Sequence, residues 1–120
     1  MTVLSPLQIA VLIAHNGTWG PGGDQAKVEK FLDTAIAVCL AESGGDTQAK
    51  NAKSSASGLW QIMVSAHQDL IGDRDIFDPV VNTDVAAKVY NAAGGWSPWE
   101  AYNTGAYKKF TGKGAKAYSN

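Results

Sequence analysis

Apolar positions recur with a helical period in three stretches of the chain, and glycine or proline punctuates the gaps between them. Leu7, Ala10, Val11 and Ala14 fall on one helical face. Ser5-Pro6 supplies a hydroxyl cap and a first-turn proline ahead of them, and Asn16-Gly17 stops the run, so a helix is predicted to about His15. Gly17 to Gly23 holds four glycines and Pro21 and reads as a loop, in which Trp19 needs somewhere to pack. Asp24 opens the widest stripe, Val28, Phe31, Leu32, Ala35, Ile36, Cys39 and Leu40, which ends at Gly44-Gly45 and predicts the central helix of the fold. A third stripe, Val85, Ala86, Val89 and Tyr90, predicts a helix from Asn82 to Ala92 that Gly94-Gly95 terminates. Shorter helices are expected from Ser65 to Ile71 and from Trp99 through Tyr102. Asp46 to Ser57 is polar and reads as a long surface loop, a length that usually signals function. Strand signals are weak, repeats are absent, and the Gly- and Lys-rich tail from Gly112 onward is expected to fray. The fold class is therefore mainly α, with residues 1–120 as a single domain.

Composition narrows the function classes. A chain of 120 residues with 45% hydrophobic and 18% charged residues can bury one adequate core without disulfides. A net charge of −1 argues against nucleic acid as a partner, and Lys108, Lys109, Lys113 and Lys116 read as a solvated end. Leu4 to Ala14 is too short to span a bilayer, and it lacks the basic flank of a signal peptide, so no membrane role is expected and delivery must come from elsewhere. Cys39 is the one cysteine and sits within the apolar stripe as a small core residue. His15 and His67 stand apart, and Asp69, Asp73, Asp75 and Asp78 do not follow a calcium-loop pattern; neither metal nor cofactor is expected.

Glu42 is the residue with chemical promise. It occupies the last turn of an apolar helix, where burial and the negative end of the helix dipole both raise a carboxyl pKa. A carboxyl that holds its proton near neutral pH can protonate a leaving oxygen. Two further segments carry polar groups in apolar settings: Gly58-Leu59-Trp60-Gln61-Ile62 and Ala101-Tyr102-Asn103-Thr104-Gly105. Each of these residues also has a plain reading. Glu42 is a solvated helix end, Ser43 a backbone bond, Trp60 core, Tyr102 helix packing and Asn103 a C-cap. Gln61 is more telling, since a buried amide needs partners, and the Glu42 carboxyl or an N-acetyl group would serve. Of the aromatic residues Tyr90, Trp96, Trp99 and Tyr107, one or two are expected to line a groove and the rest to pack the core.

Glu42-Ser43, Gly58-Leu59-Trp60-Gln61-Ile62 and Ala101-Tyr102-Asn103-Thr104-Gly105, in that order, resemble the three signature segments of the soluble lytic transglycosylase and goose-type lysozyme family. Phe77-Asp78-Pro79, with Asn82 and the Ala-rich helix after it, resembles the family as well; the first thirty residues carry no such motif. The resemblance implies a lysozyme-like α fold acting on peptidoglycan glycan strands, at the β-1,4 bond between N-acetylmuramic acid and N-acetylglucosamine. It implies Glu42 as general acid, Ser43 as its support, Tyr102 facing the acid and Asn103 helping to hold substrate; Gln61, Trp60 and Tyr90 are expected beside them in the substrate site on their own chemistry. Trp60 stands where the family often has Met. One carboxyl suffices when the muramic 6-hydroxyl is the nucleophile, whereas hydrolysis asks for a second, and Asp46 is the nearest by sequence. Lytic transglycosylation is thus the favoured expectation. A hydrolytic lysozyme and a non-catalytic glycan-binding or virion module are the alternatives. A monomer, or a domain of a larger particle, delivered by phage lysis machinery or within a virion, completes the expectation.

Overall fold

A computed structural model describes residues 2–114. It contains α1 (Pro6–Asn16), α2 (Gln25–Ser43), α3 (Gln68–Ile71), α4 (Pro79–Ala93) and α5 (Glu100–Asn103), with 3-10 turns at Val64–Ala66 and Ala106–Phe110. A two-stranded antiparallel sheet, β1 (Ala56–Ser57) and β2 (Ile62–Met63), pairs Ala56 with Met63 and Ser57 with Ile62. The mainly α expectation holds, and the sheet is an addition to it. The expected fraying from Gly112 onward falls mostly outside the described residues, as do the last residues of the tail.

Local chemistry sets the helix boundaries. The Ser5 hydroxyl accepts the Gln8 N–H at 3.2 Å while the Gln8 side chain accepts the Ser5 N–H at 2.8 Å, a reciprocal cap for α1. Asp24 caps α2 through the Ala26 N–H at 2.9 Å. Asp78 caps α4 through the Val80 N–H at 2.8 Å, with Pro79 in the first turn, so α4 starts three residues before the predicted Asn82. The predicted helix Ser65–Ile71 divides into a 3-10 turn and the four-residue α3, separated at His67.

α2 runs through the centre, and Ala35 to Cys39 are buried all round. α1 buries Ile9, Ala10 and Ile13 and leaves Leu7 and Val11 half exposed, so the predicted face is rotated. The cause is plain: α1 is apolar on nearly every side, and its packing against α2 and α4 selects the face where periodicity does not. Trp19 finds its place in an aromatic cluster with Phe31, Trp60, Tyr90, Trp96 and Trp99, edge-on to Trp60 at 4.7 Å between ring centroids. Its buried indole N–H has no hydrogen-bond partner among the described residues.

The 46–57 stretch is more ordered than a surface loop. Val3 bridges to Asp46 and Lys50 to Ser57, and the Leu4 N–H donates to the Gly45 carbonyl at 2.9 Å. Thr47 and Ser57 are buried. The N-terminal residues and the small sheet thereby form a lobe beside the end of α2. Among the described residues, no helix is long and apolar enough to cross a membrane.

Candidate active site

Glu42 ends on a fixed scaffold. Gly44 adopts φ 65°, which an L-residue resists, and its N–H closes the helix on the Leu40 carbonyl at 2.8 Å. The chain therefore turns immediately after Ser43. The Glu42 carboxyl, half-buried, accepts the Ala101 N–H on Oε2 at 3.1 Å. The neighbouring Ser43 hydroxyl donates to the Leu59 carbonyl at 2.6 Å and accepts the Gly45 N–H at 3.2 Å. The Trp99 indole N–H donates to the Trp60 carbonyl at 2.9 Å.

Those bonds join three distant segments pairwise into a closed ring: Ser43 to Leu59, Trp60 to Trp99, and Ala101 back to Glu42. Asn82 holds the ring from below. Its carbonyl accepts the Trp60 N–H at 2.7 Å, and its amide donates to the Ser57 and Ile76 carbonyls at 3.0 and 2.9 Å, all in full burial. Gly58, at φ 80°, is required there, because a Cβ would collide with the Asn82 amide and the Ile76 carbonyl.

The electrostatics raise the pKa of Glu42. Burial pushes its carboxyl upward, the Ala101 N–H pulls it back, and the Glu100 charge pushes it up again; the net is a rise from the ordinary carboxyl value. Cys39, by contrast, is an inert thiol. Burial drives its pKa far upward, and it sits 3.6 Å from the Leu59 carbonyl, as a core residue would.

Residues 23–101 match the lysozyme-like domain. The chain belongs to the lysozyme-like domain family. No curated protein and no solved structure matches it. The family brings with it the general class of peptidoglycan-degrading glycosidases, and peptidoglycan as the substrate.

Within this lysozyme-like domain, the residues singled out in the sequence have different fates. Ser43 braces the helix end against Leu59. Trp60 is fully buried, with its indole N–H on the Thr83 hydroxyl at 3.1 Å, so it has no face for substrate; that expectation is corrected to core packing. Gln61 does not bond Glu42. Its amide donates to the Ala49 and Gly58 carbonyls at 3.1 and 3.0 Å and clamps the sheet lobe. To do so it holds φ 51°, the one non-glycine in the left-handed region among the described residues, at a cost of roughly 1 kcal/mol or more. Asn103 donates to the Ser97 carbonyl at 2.8 Å, and Thr104 is the C-cap of α5. Tyr102 stacks on Tyr107 at 4.9 Å, and no hydrogen bond joins its hydroxyl to Glu42 among the described residues. Asp46 accepts the Gln48 N–H at 2.9 Å within its own turn.

Tyr90 and Tyr102 do come together. Burial and then the neighbouring Tyr102 raise the Tyr90 hydroxyl pKa. Both rings line an open cavity of about 510 Å³, with Phe31, Thr34 and Trp96 as further walls and Lys27 and Lys30 at its edge. Sequence reasoning missed Glu100 and the four α2 residues of this cavity. Glu100 was legible as the residue preceding Ala101-Tyr102-Asn103. Lys27, Lys30, Phe31 and Thr34 recur at helical spacing on a face where polar residues interrupt the apolar stripe.

Proposed function

We propose that this domain cleaves the β-1,4 bond between N-acetylmuramic acid and N-acetylglucosamine by lytic transglycosylation, with Glu42 as the single acid–base group. The observation that carries this reading is the ring of hydrogen bonds closing on Glu42, a carboxyl held above its ordinary pKa and braced from both neighbouring segments. Protonated Glu42 gives its proton to the glycosidic oxygen, and the bond from that oxygen to the muramic C1 breaks. The muramic 6-hydroxyl oxygen then attacks C1, and its proton passes to the Glu42 carboxylate, which restores the enzyme and leaves a 1,6-anhydro end. Water is neither consumed nor needed. Ser43 positions the acid, and Tyr90 and Tyr102 offer faces suited to sugar rings.

A second reading rests on Glu100. Its charge reaches Glu42, which makes it a better candidate than Asp46 for the second carboxylate of a hydrolytic lysozyme. Mass spectrometry of purified peptidoglycan digested by the wild type and by Glu42→Gln separates the readings. Anhydromuropeptides from the wild type alone are expected. Reducing ends, heavier by one water, would establish the hydrolase. No product from the wild type over several peptidoglycan types would leave a binding module.

A further inference from the structure

α1 has no Asp, Glu, Lys or Arg among its 11 residues, yet one whole side of it lies at the surface. Its inner face buries Ile9, Ala10 and Ile13. Its outer face presents Leu7 and Val11, 50% and 57% exposed, where a surface helix ordinarily carries charge. Two cavities open along that outer face and share Val11 and Leu12, so they run end to end as one groove between α1 and the first turns of α4. The first, of about 360 Å³, is walled by Leu4, Leu7 and Pro79. The second, of about 490 Å³, adds Val81 and the 60% exposed Val80 and ends at Arg74 and Asp84. Neither Glu42 nor any residue bonded to it lines the groove, which therefore stands apart from the candidate active site.

Backbone, area and charge together say what fits there. Both walls are helices whose backbone groups bond within themselves, so an extended segment finds no edge to pair with, while a helix arrives with its own bonds satisfied. Leu4, Gln8 and Leu12 stand four residues apart, as do Leu7 and Val11, and rows of that spacing are the ridges between which a further helix packs. Three half-exposed aliphatic side chains present on the order of 300 Å² of apolar surface, well short of the about 800 Å² that each partner of a stable dimer buries. One helix matches that area and a second copy of the chain does not. At the polar end, Arg74 and Lys88 both hold Asp84 at 3.1 Å, so two cations share one carboxylate and the corner keeps a positive charge in excess. Arg74 also donates to the Leu70 and Ile71 carbonyls, which fixes its guanidinium at the mouth of the groove with donors to spare.

We propose that the α1–α4 groove is the docking site for one amphipathic helix of a partner polypeptide, about three turns long to match α1. Its apolar side chains, at i, i+3 or i+4 and i+7, seat against Leu7, Val11 and Val80, and a carboxylate at one end meets the excess charge beside Arg74. The apolar face gives the affinity, and the charged corner sets the direction in which the helix lies.

The test titrates the whole chain, by fluorescence anisotropy, against a labelled synthetic helical peptide with Leu along one face and Glu at both ends. Two controls accompany it: the same composition with the Leu positions scrambled, and the same face with Lys at both ends. The Glu-ended peptide is expected to bind about tenfold or more tighter than its scramble and about three- to fivefold tighter than the Lys-ended one, the second ratio shrinking with salt. Leu7→Gln with Val11→Gln should abolish the first preference at an unchanged melting temperature, and Val80→Gln should weaken it from the other wall. Lys88→Gln should bring the second ratio to about one, while Lys88→Arg should keep it. No preference over the scramble, or a preference that survives in the Gln variants, overturns the docking site. So does a dimer in sedimentation velocity that Leu7→Gln with Val11→Gln dissolves, which would make a second copy the occupant. Binding of the wild type to phosphatidylglycerol vesicles that the same pair loses would make the occupant a membrane, and overturns it as well.

Discussion

Two polar centres lie within one fold and are treated in opposite ways. At Asn82 every polar group of the side chain is matched: one carbonyl takes a backbone N–H, and two amide protons reach two backbone carbonyls, in complete burial. Nothing there is left to react, and the centre is spent on rigidity. At Glu42 the carboxyl receives a single backbone N–H, keeps partial access to solvent and feels a like charge from Glu100. That centre is left open to solvent. The difference separates a side chain whose every polar group is used inside the fold from one that, under the proposed function, still has a proton to give. The two are coupled, because Asn82 fixes the Gly58–Trp60 segment to which Ser43 and Trp99 are bonded.

The largest effect that sharpens this contrast is Glu42→Gln. Loss of proton donation should lower muropeptide release by about 10²- to 10⁴-fold. Stability should move the other way. A carboxyl raised in the folded state adds stability only while protonated and loses it as pH rises through the folded pKa. At neutral pH the uncharged amide should therefore hold or raise the melting temperature by about one to a few degrees, and the gain should vanish as pH falls to the ordinary carboxyl range. A variant that melts well below wild type at neutral pH would break the distinction.

Asn82→Ala is the mirror experiment. It orphans a buried N–H and two carbonyls, which should cost about 3 kcal/mol, or roughly 10 °C in melting temperature by calorimetry. Activity measured below the transition should suffer far less than in Glu42→Gln. Equal losses in both variants would merge the two centres into one.

Glu100→Gln is a finer probe. Its charge raises the Glu42 pKa, so its removal should move the alkaline limb of the pH–rate profile to lower pH, with little change in rate on the acid side. If the rate instead collapses at every pH and the products are hydrolytic, Glu100 is the second carboxylate. The smallest effect is expected at Asp84, which Arg74 and Lys88 each contact at 3.1 Å. Burial pushes its pKa up, but the hydrogen bonds and charges of Lys88 and Arg74 prevail and lower it. Asp84→Ala should cost about 0.5–1 kcal/mol, less at high salt. The contribution is present above the ordinary carboxyl pKa and lost as pH falls through the folded value, the reverse of Glu42.

Much of the fold was legible because α2 and α4 carry clear stripes, with Asp24 and Gly44 bounding α2 and Gly94 ending α4, while the start of α4 at its Asp78 cap was placed three residues late. The face of α1 was not, since Leu7, Ile9, Val11 and Ile13 are equally apolar and only the neighbouring helices choose among them. The order in the 46–57 stretch was hidden too, because isolated bridges and two-residue strands leave no periodicity to read. At the site, the three segments could be named from sequence, while the bonds between them could not. Gln61 looked like a partner for Glu42, yet its left-handed backbone turns the amide toward Ala49 and Gly58. Trp60 looked like a pocket wall, yet the aromatic cluster closes over it. Glu100 and the lysines on α2 were overlooked because exposed charges seldom announce a role without their surroundings.

The ring that ends at Ala101 also sets a timetable. Its members are drawn from residues 42 to 101, so the carboxyl acquires its surroundings only after most of the chain has been made and gathered. A growing chain that stops short of Ala101 has α2 and its acid but not the N–H or the indole that complete the ring. The environment of Glu42 is thus a property of the assembled fold and of no single segment, and a truncation before Ala101 leaves the carboxyl in place with its partners gone.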